Sequence, residues 1–342
     1  MPNNKPIFVT GGTGLLGSYL LRYLVKEGYS NIRALKRKNS RPDLVEPIKD
    51  KIEWVEGDLL DVFALEDAIQ GMSRVFHCAA VVSHKPKDLK KMRAVNIKGT
   101  ANLVNVCLDE GIDKFVHVSS IAALGRRKKL KIINEDTKWE RSSWNSQYAV
   151  SKYQSEMEVW RGAAEGLKTA IVNPSVILGS GFWDYGVGPL FKRIWEGFRY
   201  FPLGTTGYVD ARNVAQFMIN LMESDISNER YVLNAENLSY KDLFTKIASV
   251  LDKKAPDFEV GNFQKEIAWR LDWLKSKLTS SERLITKSSA THTSRTFIYE
   301  NQKSTQVFDF QYIPIEKTIA EMGAQFKKSS ALNFKPAYLP LI

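Results

Sequence analysis

The sequence predicts an α/β fold, a doubly wound parallel sheet with a smaller, interleaved C-terminal lobe. Three observations predict it. Short β-branched runs alternate with helical stretches through the first half of the chain. A glycine-rich turn follows the first of these runs. After Pro174 the rhythm gives way to a stretch rich in glycine and aromatic rings.

Taken in order, Ile7 to Thr10 reads as the first strand. Leu15 to Glu27 reads as the first helix, with Leu16, Leu20 and Leu24 on one face and Gly28 ending it. Further strands are expected at Ile32 to Leu35, Ile52 to Val55, Arg74 to Cys78, Lys114 to Val118 and Ala170 to Val176. Helices are expected at Val62 to Gln70, Met92 to Asp109 and Tyr148 to Ala164. Strands joined by helices must cross over the sheet, so the strands run parallel and both faces are covered. Beyond residue 178 the expected elements are a helix from Val214 to Met222, a strand from Tyr231 to Asn234 and a helix from Tyr240 to Leu251. An amphipathic helix is expected at Asn262 to Lys277. Residues 179–342 are assigned mainly to the smaller lobe, with some elements returning to the sheet.

A length of 342 residues suits about two domains and buries a core without staples. The 44% apolar and 25% charged content excludes a disordered chain. No run approaches the roughly 18 apolar residues of a membrane span. The N-terminus carries no apolar export segment, so a cytoplasmic protein is expected. Cys78 and Cys107 sit in apolar stretches outside any CxxC pair and read as buried thiols. The histidines, His77, His84, His117 and His292, are scattered, so no metal site is expected. The net charge of +11 is spread along the chain without a nucleic-acid motif, which disfavours nucleic acid and leaves a membrane surface or anionic small molecules.

Thr10-Gly11-Gly12-Thr13-Gly14-Leu15-Leu16-Gly17 joins the first strand to the first helix. Small residues let the backbone approach a pyrophosphate, and the helix N-terminus favours its charge. In this strand–turn–helix setting the motif marks residues 1–178 as a dinucleotide-binding Rossmann domain. Gly11, Thr13, Gly14, Leu15 and Leu16 are its cofactor-binding candidates. Arg37 falls twenty residues after Gly17, where an acid would hold the 2′-hydroxyl of NAD. A cation there pairs with a 2′-phosphate instead, so NADP is expected over NAD. Asp58, beside Leu59, can accept from an adenine amino group, and Asp61 can cap the next helix. Ala79 and Ala80, after the fourth strand, leave room for the cofactor.

Tyr148 and Lys152 stand four residues apart, on one face of a helix. A cation beside the phenol favours its ionised form. Bringing a tyrosine from about 10 to about 7 takes roughly 4 kcal/mol, which Lys152 and a bound nicotinamide can supply together. Tyr299 and Lys303 repeat the spacing. Only Tyr148 follows a strand ending in Ser119-Ser120, at the sheet edge where ligands bind. Tyr148 is therefore read as catalytic and Tyr299 as structural.

Together these residues resemble an extended short-chain dehydrogenase/reductase of the NAD-dependent epimerase/dehydratase superfamily. The likeness rests on Thr10 to Gly17, Gly57-Asp58-Leu59, His77 to Ala80, Asn96 to Thr100, Val118 to Ser120 with Gly125, the Tyr148/Lys152 pair and Pro174 to Gly179. Within the superfamily it is similar to dihydroflavonol-4-reductase-like and 3β-hydroxysteroid-dehydrogenase-like reductases. The resemblance implies that Ser120 bonds the substrate oxygen, Tyr148 is the acid/base, and Lys152 binds the nicotinamide ribose. It implies a relay water on Asn96, cofactor contact at Pro174, and a dimer through the helices bearing Asn96 and Tyr148. The family often has arginine before that proline, and this chain has Asn173.

The expected activity is NADPH-dependent reduction of a ketone or aldehyde. The alternatives are a nucleotide-sugar 4-epimerase or dehydratase, and an NADP-binding sensor without turnover. The rings between Phe182 and Phe201 suit an aromatic substrate or the core of the small lobe. The basic runs at 85–93 and 126–131 suit an anionic one.

Overall fold

The computed structural model describes residues 5–83, 85–128, 130–261 and 293–342. Seven parallel strands form the main sheet. They are β1 (Ile7–Thr10), β2 (Ile32–Lys36), β3 (Glu53–Glu56), β4 (Arg74–His77), β5 (Lys114–Val118), β7 (Thr169–Pro174) and β11 (Glu229–Leu233). Their order is β11-β7-β5-β4-β1-β2-β3. The order reverses between β1 and β4, where Thr10 lies beside His77. A crevice opens beyond the strand ends at such a point.

Successive strand residues point to opposite faces and build two cores. Ile7 and Val9 meet Leu20, Leu24, Val214 and Phe217 from α1 (Leu15–Lys26) and α7 (Ala211–Glu223). Phe8 and Phe115 meet Leu65, Leu103, Val104 and Val159 from α2 (Val62–Ile69), α4 (Gly99–Asp109) and α5 (Gln147–Ala164). Each large side chain so buried contributes about 1.5–3 kcal/mol.

Three expectations change. The strand expected from Ala170 to Val176 breaks after Pro174. Val176–Leu178 (β8) instead joins Thr205–Asp210 (β10) and Glu236–Ser239 (β12) in a second sheet. The helix expected from Met92 begins earlier and is interrupted. Leu89–Arg93 (α3) and α4 are joined by a π-helical turn, Ala94–Lys98. The fourth strand ends at His77 rather than Cys78.

Most of the rings between 182 and 201 pack into or against the same core as Ile7 and Val9. Trp183 and Phe191 cluster with Phe326, whereas Tyr185 and Tyr200 are exposed. The helix expected at Asn262 to Lys277 lies outside the described residues. Among the described residues no helix is long and apolar enough to cross a membrane.

Candidate active site

The turn after β1 is built for close approach. Gly11 has φ +72°, and a Cβ there would lie 2.6 Å from Ala79 N. A Cβ on Gly17 would strike Gly11 O. Gly14 stands at the N-cap of α1 without a capping side chain, so the helix amides face the turn. This cradle fits a dinucleotide pyrophosphate. Gly11, Thr13, Gly14 and Leu15 lie at its open side, and Leu16 turns into the core. Ala79 N donates to Thr10 Oγ1 at 3.3 Å, and Ala80 follows it along the crevice.

The other nucleotide-side candidates flank that turn. Arg37 is exposed just after β2, in a turn closed by Ser40 N donating to Arg37 O at 2.9 Å. Asp58 accepts from Leu60 N at 2.9 Å, and Asp61 caps α2 by accepting from Ala64 N at 3.2 Å. Leu59 is buried, and its carbonyl accepts from Asn102 at 2.9 Å.

The catalytic candidates converge from β5 and α5. Ser120 caps the short 3₁₀ turn Ile121–Leu124, and its hydroxyl hydrogen-bonds the Tyr148 phenol. Ser146, two residues before Tyr148, caps α5 by accepting from Ala149 N at 3.1 Å. Lys152 is buried one turn on and donates to Val118 O at 2.8 Å.

Burial dominates the protonation of this pair. It pushes the Tyr148 phenol up to about 12 against the Ser120 hydrogen bond. It also pushes the Lys152 ammonium down to about 8, with Glu156 opposing. The expected lowering of Tyr148 is therefore not supplied by the chain alone, because desolvation outweighs the Ser120 hydrogen bond.

Asn96 occupies the π turn. Its Nδ2 donates to Val81 O at 3.0 Å and Ser151 Oγ at 3.1 Å, and its Oδ1 accepts from Val81 N at 2.7 Å. These bonds fix the segment after β4. Ser151 in turn donates to Tyr148 O at 2.8 Å. Pro174 ends β7 at the same edge.

Several residues here were not singled out from sequence. His77 is held between Thr10 Oγ1 at 2.7 Å and Thr100 Oγ1 at 3.0 Å, and burial lowers it to about 3. It therefore stays a neutral ring. Tyr185 is about half exposed and lies close enough to act on the charge of Tyr148. Its loop packs on Leu15 at the start of α1. Glu156 is fully buried on α5. Asn173, where the family often has arginine, donates to it, and Arg230 on the neighbouring strand β11 reaches it at 3.4 Å. Glu156 was legible as a second i+4 partner of Lys152; Arg230 left no local signal.

Other candidates are drawn off. Tyr299 is buried and its phenol accepts from Arg126 Nη2 at 2.7 Å. Arg127 pairs with Glu140. The run at 126–131 thus spends two of its cations within the protein.

Comparisons with known proteins place the chain among relatives of known family. The family described as NAD dependent epimerase/dehydratase matches residues 7–233. A putative dihydroflavonol 4-reductase from Synechocystis sp. is 33% identical over 258 residues, covering 73% of each chain. Cinnamoyl-CoA reductase 1 from Petunia hybrida is 25% identical over 75% of this chain and 80% of its own. The crystal structure of gox2253 superposes with a TM-score of 0.80 at 25% identity, over 95% of this chain and 98% of that one.

Proposed function

The chain belongs to the NAD-dependent epimerase/dehydratase family, and on that premise we propose that it is an NADPH-dependent reductase turning a ketone or aldehyde into an alcohol. One observation carries the reading: the Ser120 hydroxyl bonds the Tyr148 phenol, with Lys152 one helical turn away. The glycine cradle ends at the same sheet edge.

The bound dinucleotide supplies the hydride. Ser120 and Tyr148 form a two-hydroxyl clamp for a carbonyl oxygen. A phenol held near 12 keeps its proton at neutral pH and is ready to donate it to that oxygen, the demand of the reductive direction. Lys152 is the cation that steadies the phenolate left behind. Arg37, exposed beside the end of β2, is the choice for a 2′-phosphate and favours NADPH. Tyr185 offers a ring beside the phenol and favours a flat, ring-bearing substrate, consistent with relatives named for dihydroflavonol and cinnamoyl-CoA.

The test is loss of NADPH absorbance with a panel of aryl ketones, aldehydes and acyl-CoA thioesters, run beside UDP- and dTDP-sugars. Net oxidation of NADPH with formation of the alcohol from a ketone or aldehyde supports the reading. Epimerised sugar without net NADPH loss, or binding without turnover across the panel, overturns it. Because Lys152 must stay charged and titrates near 8, reductive kcat/KM should hold below that pH and fall above it. A profile flat to pH 9.5, roughly 1.5 units beyond it, would remove Lys152 from the role.

A further inference from the structure

His77 stands at the centre of a buried chain of polar groups that the proposed reaction does not use. It is the last residue of β4 and lies beside Thr10, the last residue of β1. The ladder between the two strands continues by one backbone bond, Cys78 N donating to Thr10 O at 3.1 Å. At the next residue a side chain takes over, and Ala79 N donates to Thr10 Oγ1 at 3.3 Å. Thr10 Oγ1 lies 2.7 Å from His77 Nδ1, and His77 Nε2 lies 3.0 Å from Thr100 Oγ1. Thr100 Oγ1 is also 2.7 Å from Asn96 O, in the π turn, and 3.0 Å from Ser155 Oγ, on α5. Thr10, His77, Thr100 and Ser155 are all buried.

Proton accounting gives this chain a direction. Asn96 O is a carbonyl and cannot donate, so its contact takes the one hydroxyl proton of Thr100. Thr100 must then accept from His77, which puts the single proton of the neutral ring on Nε2. Nδ1 is left bare and accepts from Thr10, whose oxygen in turn accepts from Ala79 N. We propose that His77, held in its Nε2–H form, is a positioning residue for the dinucleotide cradle: it orients the Thr10 hydroxyl that pins the Ala79 backbone against Gly11. The place of Ala79 matters because the two backbones touch there. A Cβ on Gly11 would lie 2.6 Å from Ala79 N and 2.8 Å from Ala79 Cα, so a shift of Ala79 changes the width of the cradle. The proposal rests on the reading of that cradle as a dinucleotide site and is independent of the carbonyl reduction.

Two readouts test this. The first needs no cofactor: proton–nitrogen NMR of the histidine-labelled full chain, with the His77 signals assigned by their loss in His77→Gln. Its Nε2 should carry the proton and its Nδ1 should be bare, and the opposite tautomer overturns the proposal. The second is the Kd for NADPH and for NADH, by fluorescence titration. His77→Phe keeps a ring, removes both bonds and should weaken binding about tenfold. Thr10→Val should do the same, and Thr10→Ser, which keeps the hydroxyl, should bind within about threefold of wild type. The double variant His77→Phe/Thr10→Val should be about as weak as either single one, because both break one chain. An unchanged Kd in folded His77→Phe protein, or effects that multiply in the double variant, overturn the proposal. Should His77→Phe fail to fold, the Thr10 variants decide: equal affinities in Thr10→Val and Thr10→Ser overturn it. The cofactor reading fails differently and takes the proposal with it: the wild-type chain then binds neither nucleotide.

Discussion

Two tyrosine–lysine pairs share one spacing and have different fates. Tyr148 and Lys152 lie on an 18-residue helix, so four residues bring them to one face. Tyr299 ends a two-residue strand, and Lys303 falls in the following helix, Gln302–Val307. There the same spacing brings nothing together. The Tyr299 phenol takes Arg126 Nε and Nη2, and its backbone bonds Asn234 and Asn237. Lys303 turns to Glu229 at 2.5 Å and over the Tyr231 ring. The contrast teaches that the motif is a statement about a helix face at a ligand edge, and the four-residue interval alone says little.

Removing the reactive hydroxyl breaks the comparison most sharply. Tyr148→Phe should cut kcat by about 10³-fold while NADPH still binds, measured by single-turnover absorbance and by fluorescence titration. If the variant keeps a tenth of the activity, the two tyrosines are not functionally distinct. A smaller effect belongs to the nucleotide end. Arg37→Ala should reduce the NADPH-over-NADH preference by about 10- to 100-fold, since a charge-assisted contact is worth roughly 1.5–3 kcal/mol. Equal use of both cofactors by the wild-type enzyme would dispose of that assignment.

The second pair should answer in stability. Tyr299→Phe leaves Arg126 without its phenol and should cost about 1–3 kcal/mol, with kcat within about threefold of wild type. Lys303→Ala should be smallest, under about 1 kcal/mol by denaturant titration, because its ion pair is solvent-exposed. A large kcat loss in either would show that the second pair serves the reaction.

Much of the frame was legible because it is local. The apolar run Lys114–Val118 reads as a strand and is one. The turn from Gly11 to Gly17 reads as a cradle because its glycines let the backbone approach closely, and at Gly11 and Gly17 a Cβ would collide. Other features were not legible. Asn173-Pro174-Ser175 interrupts the chain from Ala170 to Leu178, yet nothing local shows that Val176–Leu178 joins a different sheet. Asn96 stood out by resemblance alone, and nothing local showed the π turn that brings it to Val81 and Ser151.

By itself the sequence determined what depends on neighbours a few residues apart: alternation of elements, the phosphate turn, the cap at Asp61, and the Tyr148–Lys152 face. The tertiary structure decided what depends on groups far apart along the chain. It set Arg230 and Asn173 against Glu156, the Arg126 bond to Tyr299, and the burial that drives Tyr148 up and Lys152 down. The physical reason is range. Helix and turn geometry follow from local backbone sterics and hydrogen bonds, whereas desolvation and charge pairing depend on whatever the whole fold brings within a few ångströms.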